Sequence, residues 1–203
     1  GIIEQFGGSW NGYTWIDQTT YLETATRDAL DRMLFIESER MASCLYHPDD
    51  CESERTVIIS ELQGGENDPD QLLDQEVTAT AFKAHPYQHP TIGWLPDLQT
   101  MTRDDLYAYY RRYYVPNNSA IIVTGDVTPQ AAFQLVEQLF GEWPRRAKDP
   151  FKEFPLVDHP PLPKSEGHLI SAPVTNVVIQ LGWQGPSIGK DDAATYAADV
   201  FSF

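Results

Sequence analysis

The sequence predicts an α+β fold, a mostly antiparallel sheet packed against helices. Three observations carry that prediction. Residues 27–45 place Leu30, Met33, Leu34, Glu37, Met41 and Leu45 at three- and four-residue steps, the period of a helix with one buried face. Residues 9–25 alternate instead: Trp10, Gly12, Thr14 and Ile16 interleave with Asn11, Tyr13 and Trp15, and a β-branched and aromatic run follows. Strands and helices are then mixed along the chain without regular βαβ alternation.

Taken in order, residues 9–25 read as two strands joined by a turn at Ile16-Asp17-Gln18-Thr19. The helix over 27–45 is broken by His47-Pro48-Asp49-Asp50, and Asp50 reads as the N-cap of a helix from about Cys51 to Leu62. Gly64-Gly65 stops it. Asp68-Pro69 starts another that runs to about Ala84. Residues 85–101 read as a long loop with Pro86, Pro90, Gly93 and Pro96. Thr102 with Asp105 three residues on forms a capping-box variant for a helix to about Tyr114. Pro116-Asn117-Asn118 is a turn and residues 120–124 a buried strand. Thr128-Pro129 opens a helix to about Phe140, with proline at its first position. Residues 176–183 read as a strand and 191–203 as a helix. Six prolines between 144 and 166 read as an inter-domain linker. The expected organisation is therefore a domain over 1–143, a linker over 144–166 and the start of a second domain over 167–203.

The chain has 203 residues, enough to bury a core without disulfide or metal staples. Lys plus Arg is 14 and Asp plus Glu is 30, a net charge of −16. That charge excludes phosphate-backbone binding as the main task, since nucleic acid requires a basic footprint, and argues against an anionic membrane surface. No apolar run approaches a membrane span. A soluble protein, cytoplasmic or periplasmic, is expected, with the compartment left open. Cys44 and Cys51, with His47 between them, match no zinc-ribbon spacing; a disulfide between them stays open. The chain starts Gly1-Ile2-Ile3 without Met and ends within an apolar helical pattern, so a fragment of a longer protein is expected.

Few residues carry chemistry. Glu54 and Glu61 are seven apart, two helical turns, hence on one face ~10 Å apart along the axis. Val57 and Ile58 lie on or near that face, and acids bordering an apolar stripe are costly unless paired or bound to a metal. Two readings stand: boundary glutamates paired with Arg or Lys, or ligands. His85 and His89 enclose Pro86, so no helix presents them together, and loop packing is expected. The tyrosines at 107, 109, 110, 113 and 114 read as packing surface. No HExxH, HxxEH or P-loop string occurs.

The ordered set Gly7-Gly8-Ser9-Trp10-Asn11-Gly12-Tyr13-Thr14 with Asp17 and Tyr21, then Glu37-Ser38-Glu39-Arg40-Met41, Glu54 through Glu61, Asp68-Pro69, His85-Pro86-Tyr87, Ile92-Gly93-Trp94, Pro116-Asn117-Asn118 and Gly125-Asp126, resembles the pitrilysin/insulinase-type zinc metallopeptidases, the processing peptidases among them. The likeness covers about residues 1–145 closely and continues more faintly through 177–203, which is similar to the opening of the family's next domain.

The resemblance implies a zinc-dependent endopeptidase. In the family, two His of an HxxEH helix and a Glu on a second helix hold Zn²⁺, and the Glu of HxxEH activates the bound water. Glu61 falls on the third-ligand position, where a carboxylate supplies a hard oxygen and leaves a site open for water. Glu54 falls on a second carboxylate that supports the site from behind the ligands. Trp10, Asn11, Gly12 and Tyr13 fall on the edge strand along which the family lays an extended peptide or unfolded protein. The HxxEH segment would lie before Gly1, so these 203 residues alone are expected neither to keep catalytic zinc nor to hydrolyse peptides. A homologous second half or partner subunit closes a chamber in the family, and is expected here. The alternatives are a non-catalytic scaffold or chamber-wall subunit of the same fold, and a peptide-binding module.

Overall fold

The structure, a computed structural model, describes every residue except Leu156, Asp158 and Phe203. In chain order the elements are α1 (Ile2–Gln5), β1 (Ser9–Thr14), β2 (Thr19–Thr24), a 3₁₀ turn (Arg27–Ala29), α2 (Leu30–Ala42), α3 (Pro48–Gly65), α4 (Pro69–Ala81), a 3₁₀ turn (Pro86–Gln88), α5 (Leu95–Thr100), α6 (Arg103–Tyr113), a 3₁₀ turn (Pro116–Asn118), α7 (Pro129–Phe140), α8 (Pro150–Glu153) and α9 (Asp192–Phe201). The class is α+β, as the sequence predicts. Two compact units form, Gly1–Ile58 with Leu95–Pro155, and Ile59–Trp94 with Leu156–Phe203.

In the first unit, β1 and β2 pair antiparallel, with Trp10 opposite Glu23, Gly12 opposite Tyr21 and Tyr13 opposite Thr20. The turn forms where expected, closed by Trp15 N–H donating to the Gln18 carbonyl at 2.8 Å. Two glycines set the entry to β1. Gly7 has φ +67°, a left-handed conformation costly for other residues. A Cβ on Gly8 would stand 2.5 Å from the Thr24 carbonyl oxygen and 2.8 Å from Ile3 Cγ2. Gly8→Ala is therefore expected to lower stability by about 1–3 kcal/mol, read from the urea midpoint; an unchanged midpoint would refute this close approach.

Helix α2 packs on α7, and Leu34 and Phe140 are among the buried side chains of this unit. Burying each is worth about 1.5–3 kcal/mol. Tyr110 on α6 is buried, and its hydroxyl donates to the Arg40 carbonyl at 3.1 Å while accepting the Cys44 N–H at 3.2 Å, so it joins α6 to the end of α2. Rings of Tyr46 and Tyr107 pack against it, the packing surface read from the tyrosine spacing. Tyr46 has φ +52°; Arg103 secures that turn by donating to the carbonyls of Leu45 at 2.7 Å and Tyr46 at 2.9 Å. Thr102 and Asp105 form the reciprocal capping box, and these hydrogen bonds hold the Asp105 carboxyl below its usual range.

In the second unit, Asp68 caps α4 by accepting from Asp70 N–H, and Asp191 caps α9 by accepting from Ala194 N–H. The segment after residue 158 is tied to α4 and to Lys83 just beyond it through side chains. Lys83 Nζ reaches both Glu166 oxygens at 2.7 Å, His168 Nδ1 lies 2.6 Å from Glu76 Oε1, and Gln180 donates to Asp74 at 2.9 Å.

Several expected elements differ. Helix α3 starts at Pro48, so Asp50 lies inside its first turn rather than capping it. Proline suits a first helical position, and acids there favour the helix dipole. The 85–101 segment contains a 3₁₀ turn and α5. Residues 120–124 and 176–183 form no strand, with Ile122 85% and Val177 92% exposed. A strand exists only by pairing, and among the described residues the one ladder is β1–β2. The helix expected to reach Phe203 is described to Phe201, and Phe203 lies outside the described residues.

Candidate functional site

The two glutamates of α3 do not sit as the apolar-stripe argument expects. Both Glu54 and Glu61 are exposed, and Val57 beside them is more than half exposed. Neither makes an ion pair with Lys or Arg among the described residues, so the paired-boundary reading fails too. The neighbouring cation is engaged elsewhere. Arg55, 17% exposed in its side chain, donates to Glu52 and to the carbonyls of Leu98 and Met101 at the C-terminal end of α5. A guanidinium there satisfies carbonyls the helix leaves open and meets the negative end of its dipole. Arg55 thus fixes the register of α3 and leaves Glu54 in solvent. The sequence reading missed this anchor; its signal was an Arg inside the acidic run, but its carbonyl partners lie more than forty residues away.

Helix α3 is unbroken from Pro48 to Gly65, so the two-turn spacing of Glu54 and Glu61 holds. An exposed carboxylate on a stiff helix can serve as a monodentate oxygen ligand, but one carboxylate does not make a metal site. Among the described residues no group of three or more His, Cys, Asp or Glu side chains could hold an ion. His85 instead caps the 3₁₀ turn, its Nδ1 accepting from Tyr87 N–H at 3.3 Å, and its ring packs on Phe82 and Tyr87. Cys44 and Cys51 are free thiols.

Strand β1 is exposed along its whole length. Its one ladder partner among the described residues is β2, which leaves the other edge with unpaired N–H and C=O groups. Trp10 is 61% and Tyr13 47% exposed. Trp10 Nε1 donates to Glu4 at 2.8 Å, the Asn11 side chain accepts Gly12 N–H at 2.8 Å, and Gln18 Nε2 donates to the Tyr13 hydroxyl at 3.4 Å. These contacts orient Trp10 and Asn11 while their faces remain open. No helix among the described residues is long and apolar enough to cross a membrane.

Comparison with known proteins gives the family. The family model described as Insulinase (Peptidase family M16) matches residues 1–94, and that described as Peptidase M16 inactive domain matches residues 100–203. The zinc protease PqqE of Helicobacter pylori is 33% identical over 140 residues, 68% of this chain and 32% of that protein. The probable mitochondrial-processing peptidase subunit beta of Arabidopsis thaliana is 27% identical over 159 residues, 78% of this chain and 29% of that protein. The crystal structure of a protease from Helicobacter pylori superposes with a TM-score of 0.70 at 31% identity, covering 73% of this chain and 36% of that one. Fold and ordered motifs together mark a member of a metallopeptidase family. It belongs to peptidase family M16, the insulinase family. The chain spans about a third of the length of these relatives.

Proposed function

We propose that this chain is part of a zinc-dependent endopeptidase that binds peptide or unfolded protein in extended form against β1. The observation that carries the reading is the exposed β1 edge with two anchored but open aromatic residues, on a chain that shares the family's ordered motifs. Trp10, Asn11, Gly12 and Tyr13 receive the peptide: backbone groups of the strand edge provide affinity, and Trp10 and Tyr13 grip side chains. Glu61 is the third zinc ligand and Glu54 supports the site from behind it. The two remaining ligands and the general base belong to an HxxEH helix outside these 203 residues, so this chain alone is inactive and keeps no catalytic zinc. Bound zinc supplies Lewis acidity at the scissile carbonyl and a nucleophilic water near neutral pH. In this proposal residues 1–143 form part of the metallopeptidase domain, 144–166 link it and 167–203 begin a second homologous domain. A homologous half or partner subunit closes the chamber.

The description of the family model matched over residues 100–203 favours a second reading, a non-catalytic chamber-wall subunit of the same fold. Peptide binding tests the strand reading without requiring activity. A fluorescent extended peptide titrated into the 203-residue chain is expected to bind, and Trp10→Ala or Tyr13→Ala to weaken it by about tenfold, the loss of one aromatic anchor. Unchanged affinity in both variants would remove β1 as the docking edge.

A further inference from the structure

Strand alternation puts Trp10, Gly12 and Thr14 on one face of β1. Trp10 and Thr14 carry side chains above that face. Gly12 carries none, so the row has a gap between them. The residue paired with Gly12 on β2 is Tyr21, and its ring leans into the gap. A Cβ on Gly12 would lie 3.4 Å from Tyr21 Cδ1 and 3.8 Å from Cε1, ordinary contact distances. The half-buried ring therefore covers Gly12 from the β2 side, an aromatic laid across a strand glycine.

Both aromatic neighbours of the gap are fixed in place. The Tyr21 hydroxyl shares a hydrogen bond of 3.0 Å with the Tyr114 hydroxyl. The Arg40 guanidinium carbon sits 4.3 Å from the Tyr21 ring centre, and Arg40 Nη1 pairs with Glu37 Oε1 at 2.7 Å. A paired cation over one face holds the ring against rotation. Trp10 Nε1 donates to Glu4 at 2.8 Å, while the indole stays largely exposed. A position with no side chain of its own is thus flanked by two held aromatic groups, one across the ladder and one two residues along the strand.

An extended peptide that pairs with the free edge of β1 places one residue directly opposite Gly12, with its side chain on the face that carries Trp10. Opposite Trp10 or Thr14 such a side chain abuts another side chain. Opposite Gly12 it crosses bare backbone toward the Tyr21 ring, with Trp10 on the diagonal, a separation that aromatic and long side chains span. An alanine is too short to cross. We propose that Gly12 is the specificity-determining position of the β1 edge, its gap admitting a large apolar side chain of the bound peptide, aromatic above all, which lies across Gly12 against Tyr21 and beside Trp10. The proposal rests on the reading of β1 as a peptide-docking edge and names the class of substrate that edge takes. Because both aromatic walls are already held, binding has little else to order.

Two labelled extended peptides test it, identical except that one carries Phe where the other carries Ala. Each is titrated by fluorescence anisotropy into the 203-residue chain and into Gly12→Ala and Gly12→Val. The wild type is expected to bind the Phe peptide about tenfold more tightly. Gly12→Val, which fills the gap, should bring the ratio of the two affinities to about one, and Gly12→Ala should leave it in between. The added methyl of Gly12→Ala meets Tyr21 at an ordinary contact distance, so that variant reports even where the valine one does not fold. Equal affinities in the wild type, or a ratio unchanged in every Gly12 variant that folds, would overturn the proposal. Equal affinities that still drop in Trp10→Ala or Tyr13→Ala remove the gap as a selector and keep the docking edge. Affinities indifferent to both aromatic substitutions remove the edge and the selector together.

Discussion

In the natural gene product that carries this chain, Glu61→Gln is expected to lower peptide hydrolysis by roughly three orders of magnitude. On the proposed assignment it removes the anionic oxygen ligand contributed by α3. An amide binds zinc far more weakly, and the metal's several kcal/mol of transition-state stabilisation go with it. Stability should hardly move. Glu61 is exposed, and substitution of such a surface residue changes stability by about 0.5 kcal/mol or less. Activity loss with lowered zinc content and an unchanged melting temperature of the metal-free protein is therefore the expected signature. Glu54→Gln should cost less, about 10–100-fold, as for groups that support ligands rather than bind metal. A Glu61→Gln enzyme with full zinc and full activity would sink the assignment and leave α3 as a scaffold helix.

The second large effect falls on stability. Arg55→Ala is expected to destabilise the first unit by about 2–4 kcal/mol, shifting the melting temperature by roughly 5–15 °C. The substitution strips the Leu98 and Met101 carbonyls at the end of α5 of their charged donor and leaves Glu52 unpaired. Hydrogen bonds to a charged group are worth about 1.5–3 kcal/mol each, and these share one side chain, so they do not simply add. Arg55→Lys should recover part of the loss, since an ammonium reaches one carbonyl but lacks the planar fork that spans two. A melting temperature for Arg55→Ala within about 1 °C of wild type would show that α5 docks without it.

Local order was legible. The alternation at 9–25, the Asp68-Pro69 and Thr128-Pro129 starts and the Thr102–Asp105 capping box each became the expected element, because a cap or a hairpin is made by residues a few positions apart. The runs at 120–124 and 176–183 had apolar content suited to strands and did not become strands, because the ladder that makes a strand depends on a remote segment. Family membership was legible for a similar reason: it rests on ordered short motifs rather than on three-dimensional contacts. The environment of Glu54 and Glu61 was not, since periodicity expected a buried stripe beside them where Val57 is exposed.

By itself the sequence determined the helix starts at Pro69, Arg103 and Pro129, the β1–β2 hairpin, the acidic charge, the family and the two carboxylates two turns apart on α3. Each is a property of residue order over a few positions or of composition. Only the tertiary structure decided that Arg55 turns to α5 instead of to Glu54, that β1 lies open along its length, and that Arg40 pairs with Glu37 over the Tyr21 ring. Those outcomes depend on which groups the chain brings together across long separations, where burial, charge balance and unsatisfied backbone groups are settled between segments that have no local means of sensing one another.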